Sequence, residues 1–251
     1  MNDNLKYKCL ILDHDDTVMD STAHVHHPAF LVSLAVLRPG HTITLEDYFR
    51  VNFHPGFVAY CRDVLGYTPE ELAQEVEMWK AYVKDHIPTV YPGMARIIRR
   101  QKELGGLVCV ISHSFDFNIR RDYAANGLPE PDAVYGWELP PERRKPAAWA
   151  VEQILERFHL QPEEVLVVDD LKTGYDMART AGVPFAAACW AYDVPQIRAF
   201  MEANCERAFL DPAALEADLF SSAALPASPR HSDRNSSGIP AFQPGSNRIH
   251  T

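Results

Sequence analysis

The densest concentration of reactive groups is Asp13-His14-Asp15-Asp16-Thr17, where three carboxylates fall within four residues directly after the apolar run Cys9–Leu12. Carboxylates this close repel one another unless a cation neutralises them. Hard oxygen ligands at such density suit Mg2+. A second acidic pair, Asp169-Asp170, closes the apolar run 165–168, with Gly174 and Asp176 just beyond it. Two acidic strand ends converging on one site would make a metal cradle. In Ile111-Ser112-His113-Ser114, Ser112 offers a hydroxyl and its neighbours offer backbone amides for an anionic oxygen. Lys145, just ahead of Pro146, supplies the positive charge that a phosphoryl group requires.

These groups need elements to bring them together. The runs at 9–12, 107–111, 165–168 and 183–189 are continuously apolar, the pattern of strands buried on both faces of a parallel sheet. A weaker strand is expected at 133–135. Helices are expected at 94–104, 117–126, 147–158 and 175–180, the first opened by Pro92-Gly93 and closed by Gly105-Gly106. This alternation predicts a doubly wound α/β fold with a mainly parallel sheet. Residues 21–89 break the rhythm: they hold no convincing strand, many aromatic residues, and a helical pattern over 70–85. That pattern starts with Thr68 as N-cap, Pro69 in the first turn and Glu71 at capping-box spacing. The expected organisation is an α/β core over 1–20 and 90–220, with a helical cap over 21–89 as a lid on the sheet's active end. Residues 221–251, dense in Ser, Pro, Asn and Gly, are expected to be a disordered tail.

Composition narrows the partners. With 47% hydrophobic and 23% charged residues the chain reads as an ordinary globular protein. Its net charge of −10 opposes a nucleic-acid partner, whose phosphates need a positive footprint. The five cysteines form no CxxC pair and are expected to be reduced, structural thiols. The N-terminus lacks the apolar stretch of a signal peptide, and no segment approaches the ~20 apolar residues of a membrane span. No membrane partner and a cytoplasmic location are expected.

Taken in order, the four groups resemble the four motifs of the haloacid dehalogenase-like hydrolase superfamily. Asp13 to Thr17 matches its DxDxT motif, Ser112 its second, Lys145-Pro146 its third and Asp169-Asp170 its acidic fourth. The insert falls where this superfamily's C1-type cap falls, on a Rossmann-like core. Asp20-Ser21 and Tyr91-Pro92-Gly93 look like the phosphoglycolate phosphatase and β-phosphoglucomutase branch. The resemblance implies Asp13 as nucleophile, forming an aspartyl-phosphate, and Asp15 as the acid/base of both half-reactions. It implies that Mg2+ is held by the carboxylates of Asp13 and Asp170 and the backbone carbonyl of Asp15, with Asp169 assisting. Ser112, Lys145 and the His113 amide would bind the phosphoryl oxygens. Asp15 favours phosphoryl transfer, since the superfamily's dehalogenases lack it. Two departures stand out: Asp16 occupies a position often taken by Gly, and His14 replaces an apolar residue.

The implied activity is a Mg2+-dependent phosphatase acting on a small phosphorylated metabolite. A phosphomutase built from the same parts, or a non-catalytic binding protein on the scaffold, are the alternatives. His14 and His113 could tune pH dependence, contact substrate or merely pack. His24, His26 and His27 lead into the insert. One of them could position the acid/base, as a β-phosphoglucomutase histidine does after a one-residue shift in register, or the three could form a metal site. Arg50, Arg62 and Lys80 could meet an anionic substrate.

Overall fold

The computed structural model describes residues 5–220. Its main sheet has six parallel strands: β1 (Cys9–Leu12), β4 (Leu107–Ile111), β5 (Ala133–Tyr135), β6 (Val165–Asp169), β7 (Phe185–Ala188) and β8 (Ala208–Phe209), ordered β5-β4-β1-β6-β7-β8. The order reverses at β1, which lies between β4 and β6 with Leu12 level with Val110 and Val168. In open α/β sheets the crevice at the carboxyl ends of such strands is where ligands sit.

Alternation along β1 explains its continuous apolar sequence. Leu10 and Leu12 enter one core cluster with Ile97, Ile98, Val110 and Val168, while Cys9 and Ile11 enter the opposite one with Val151, Ile154 and Val167. Helices α5 (Pro92–Glu103), α6 (Asp116–Ala125), α7 (Trp149–Phe158) and α8 (Lys172–Ala181) connect the strands. They are followed by α9 (Pro195–Asn204) and α10 (Pro212–Phe220).

The insert follows β1 immediately. Its helices are α1 (His27–Leu37), α2 (Leu45–Phe53), the short α3 (Phe57–Ala59) and α4 (Pro69–Lys84), with π-helical turns at Thr22–His26 and Tyr60–Val64. Thr68 caps α4 through the expected capping box with Glu71. The segment has a cluster of its own built on Phe30, Leu34, Tyr48, Cys61 and Tyr67. Both connections to the sheet are tied together. The chain leaves through β2 (Met19–Asp20) and returns through β3 (Thr89–Val90), which pair antiparallel. Asn126 holds the return, accepting from the Val90 amide at 3.0 Å and donating to the Pro88 carbonyl at 3.0 Å.

Strands β1, β4 and β5 match their expected bounds, and β6 extends one residue further, onto Asp169. The expected strand at 183–189 contracts to Phe185–Ala188, and the helix expected at 175–180 starts earlier, at Lys172. Strand β8 and helices α9 and α10 are additions. The expected tail at 221–251 lies outside the described residues. Among the described residues no helix is long and apolar enough to cross a membrane.

Thr68 accepts from the Glu71 amide at 3.2 Å. Thr68→Ala should therefore lower unfolding free energy by about 1 kcal/mol in urea denaturation. No loss would mean that packing alone fixes the start of α4.

Candidate active site

The sheet brings the expected residues to one edge. Asp13 follows β1 and donates its amide to the Val168 carbonyl at 2.9 Å. Ser112 follows β4 and donates its amide to the Tyr135 carbonyl at 3.0 Å, while its hydroxyl accepts from the Ser114 amide at 3.0 Å. Asp169 ends β6 and Asp170 follows. Lys145 reaches in from the loop before α7, its Nζ donating to Asp13 Oδ1 and Asp169 Oδ2 at 2.7 Å each. All of these side chains are buried.

One lysine does not balance three buried carboxylates. Asp13, Asp169 and Asp170 offer oxygens within 4.8 Å of one another. Burial, and then the Asp169 and Asp15 charges, push the Asp13 carboxyl up to about 7 against the pull of Lys145. Burial, followed by Asp13 and Asp169, drives Asp170 well above the usual carboxylate range. Burial opposes the charge on Lys145, but its two aspartate partners outweigh it and hold the ammonium above its ordinary range. The donor set is all hard oxygen with an excess of negative charge, which fits a divalent cation such as Mg2+. Around it, Asp170 accepts from Thr17 at 3.3 Å and from the Tyr192 hydroxyl at 3.1 Å. Asp169 Oδ1 accepts the Leu171 amide at 2.8 Å.

Asp15 has a different environment. It accepts from Ser21 Oγ at 2.9 Å, Ser114 Oγ at 2.5 Å and His26 Nε2 at 2.7 Å. Trp79 on α4 donates its indole N–H to His26 Nδ1 at 3.1 Å, so the imidazole proton sits on Nε2, facing Asp15. Burial alone would raise the Asp15 carboxyl, but His26, then His14 and Ser114, outweigh it and hold it far below the usual range. Of the three histidines at the start of the insert, His26 is the one at the site. His24 is exposed and pairs with Asp20 at 3.4 Å, and His27 donates to the Ile43 carbonyl at 3.0 Å. The three face different partners and do not form a metal site.

Asp16 has φ 59°, which accounts for the frequent glycine at this position. A short polar side chain tolerates that conformation when it bonds locally, and Asp16 Oδ1 accepts the Thr22 amide at 3.0 Å. His14 turns away from the site into the core, where Nε2 donates to Asp122 at 3.0 Å. His113 lines the cavity, donates to the Lys145 carbonyl at 3.2 Å, and is pushed down to about 4 by burial and by Lys145. Arg50 pairs with Glu46 and Asp47, and Lys80 with Glu77. Only Arg62 of those three lines the cavity. Residue-by-residue reading of the sequence assigned no role to Ser21, Glu75, Trp79, Ser114 or Tyr192.

A family model for haloacid dehalogenase-like hydrolases matches residues 7–182. The chain belongs to this family. No curated protein matches its sequence. Among solved structures, it is similar to a putative haloacid dehalogenase-like hydrolase from Bacteroides fragilis, with TM-score 0.70 and 20% identity, covering 84% of this chain and all of that one (100%). A predicted phosphoglycolate phosphatase from Haemophilus somnus 129PT gives 0.65 and 16%, covering 85% and 98%. A point mutant of CbbY from Rhodobacter sphaeroides, in complex with xylulose-(1,5)bisphosphate, gives 0.65 and 18%, covering 83% and 96%. At these identities the likeness is one of fold.

Gly174 on α8 lets that helix approach the site, since a Cβ there would overlap the Asp169 carboxylate. Asp169 has both oxygens bonded and little room to yield. Gly174→Ala should cost about 1–3 kcal/mol of stability in chemical denaturation. Wild-type stability would mean that α8 can withdraw without strain.

Proposed function

We propose that the chain is a Mg2+-dependent phosphatase that hydrolyses a small-molecule phosphomonoester through an aspartyl-phosphate on Asp13. The observation that carries this reading is the buried bridge from Lys145 to Asp13 and Asp169 beside Asp170, with Asp15 held separately by His26, Ser21 and Ser114. In this reading, residues 21–89 are a cap over the core formed by 1–20 and 90–220. The likeness to a predicted phosphoglycolate phosphatase and to CbbY supports the same class of chemistry.

Lys145 occupies Asp13 Oδ1 and leaves Oδ2 to attack phosphorus. As that bond forms, the bond from phosphorus to the substrate oxygen breaks, and the departing alkoxide takes a proton from Asp15. A water then attacks the phosphoryl group on Asp13, gives its proton to Asp15, and frees the Asp13 carboxylate. Ser112, the His113 amide and Lys145 bind the phosphoryl oxygens as charge moves onto them. Mg2+ would be held by the Asp13 and Asp170 carboxylates and the Asp15 carbonyl, with Asp169 assisting, and when bound would offset charge on the phosphoryl oxygens.

The two half-reactions make opposite demands on Asp15. Its three donors favour the carboxylate, the form that activates water, whereas protonating the alkoxide requires the acid. His26 and Trp79 belong to the insert, so the placement of that insert sets the strength of this hold.

With Mg2+ and labelled substrate, Asp13→Asn should trap no phospho-enzyme and should turn over at background. Asp15→Asn should accumulate phosphate from p-nitrophenyl phosphate while losing about 10²- to 10⁴-fold on alkyl phosphates. Steady turnover by Asp13→Asn, or wild-type activity persisting in EDTA, would contradict the proposal.

A further inference from the structure

The cavity that opens at Asp13 measures about 770 Å³, a size that takes ligands far larger than a phosphoryl group. Most of its charged groups come from the strand ends and the Lys145 loop, with Arg62 and Glu75 added by the insert. Much of the remaining wall is aromatic or branched: Phe49, Phe57, Val76 and Trp79 from the insert, Phe115 and Trp137 from the core. These rings support one another. Trp79 and Phe115 lie 5.7 Å apart between centroids, and Phe57 packs edge-on to Phe30 at 5.0 Å.

We infer that the organic group of the substrate is bulky, apolar and uncharged, an aryl-alkyl or branched-alkyl phosphomonoester. A sugar phosphate, a bisphosphate or a phosphorylated carboxylic acid fits this cavity poorly. This inference rests on the phosphatase reading and narrows it.

Three features support it. Sugar hydroxyls lying against these rings would lose water without gaining partners from them, at a cost per group comparable to a lost hydrogen bond, and the uncharged polar lining groups such as Asn52 and Thr173 are fewer than the apolar ones. A second anion would need a cation, and of the lining cations other than Lys145, Arg62 is paired with Asp63 and Arg144 is held against Trp137. Arg62 bonds Asp63 through Nε and Nη2 at 2.6 and 2.7 Å. Arg144 donates Nε to the Leu139 carbonyl at 2.6 Å, and its guanidinium lies 4.0 Å from the Trp137 ring centroid. On the insert side the wall also carries Glu75, a buried carboxyl bonded to Ser33 that brings no positive charge for a second phosphate or carboxylate. Apolar surface, by contrast, gains from transfer into this wall in proportion to its area.

The test measures kcat/KM with Mg2+ for ethyl phosphate, 2-phenylethyl phosphate, glycerol 3-phosphate and phosphoglycolate, with p-nitrophenyl phosphate as reference. All four alkyl substrates lose a primary alcohol, so differences report mainly on the organic group. The 2-phenylethyl ester should exceed ethyl phosphate by about 10- to 100-fold, and should exceed the two polar substrates. Val58→Asp places a carboxylate at an exposed lining position, where folding tolerates it, and should reduce that ratio by about tenfold. Turnover of the reference without preference for the aryl-alkyl ester, or with preference for a polar substrate, would overturn the inference and leave the phosphatase reading standing. An unchanged ratio in Val58→Asp would overturn it too. If no ester were hydrolysed, the phosphatase reading would fall and this inference with it.

Discussion

Three buried carboxylates gathered around one lysine set the terms for the rest of this molecule. Removing charged groups from water is costly, and Asp13, Asp169 and Asp170 also repel one another. Lys145 offsets part of that repulsion through its two 2.7 Å bonds. The surrounding fold supplies what one ammonium cannot. The Leu171 amide holds Asp169, Thr17 and Tyr192 hold Asp170, and Gly174 keeps α8 clear of the carboxylate. The residual negative charge is what makes the site receptive to a divalent cation.

The sheet explains why these groups meet. Asp13, Ser112 and Asp169 are far apart in sequence, yet β4, β1 and β6 are neighbours in register, so their carboxyl ends deliver the three residues side by side. The insert contributes His26 and Trp79 to the environment of Asp15. Two kinds of control follow from one topology. Core residues hold the charge cluster together, while the insert adds His26 beside Asp15 and part of the cavity wall.

Much of this was legible because the signals were local. Strands β1, β4 and β6 are buried on both faces, which writes a continuous apolar run into the sequence, and each run ends on a reactive residue. Strand β8 has two residues and α10 a weakly patterned sequence, so neither carried a comparable signal. The partners of Asp15 were hidden for another reason. Ser21 and His26 lie at the two ends of one π-helical turn, Ser114 comes from the loop after β4, and Trp79 reaches Asp15 only through His26, so no common spacing rule links them. Tyr192 likewise meets Asp170 only because the segment after β7 folds back beside β6. His14 adjoins two reactive aspartates in sequence but points into the core, since successive residues leaving a strand face opposite ways.

A divalent ion would bind on the cluster's excess negative charge. A cation needs the ionised carboxylates, while burial and repulsion push the Asp13 carboxyl up to about 7 and hold Asp170 well above the usual carboxylate range. Calorimetric titration with Mg2+ at pH 7, repeated in buffers of different ionisation enthalpy, counts the protons displaced. Release of about one proton per ion is expected, with affinity rising as pH rises and both signals lost in Asp170→Asn. Heats that do not depend on the buffer, or Mg2+ binding that survives in Asp170→Asn unchanged, would contradict it.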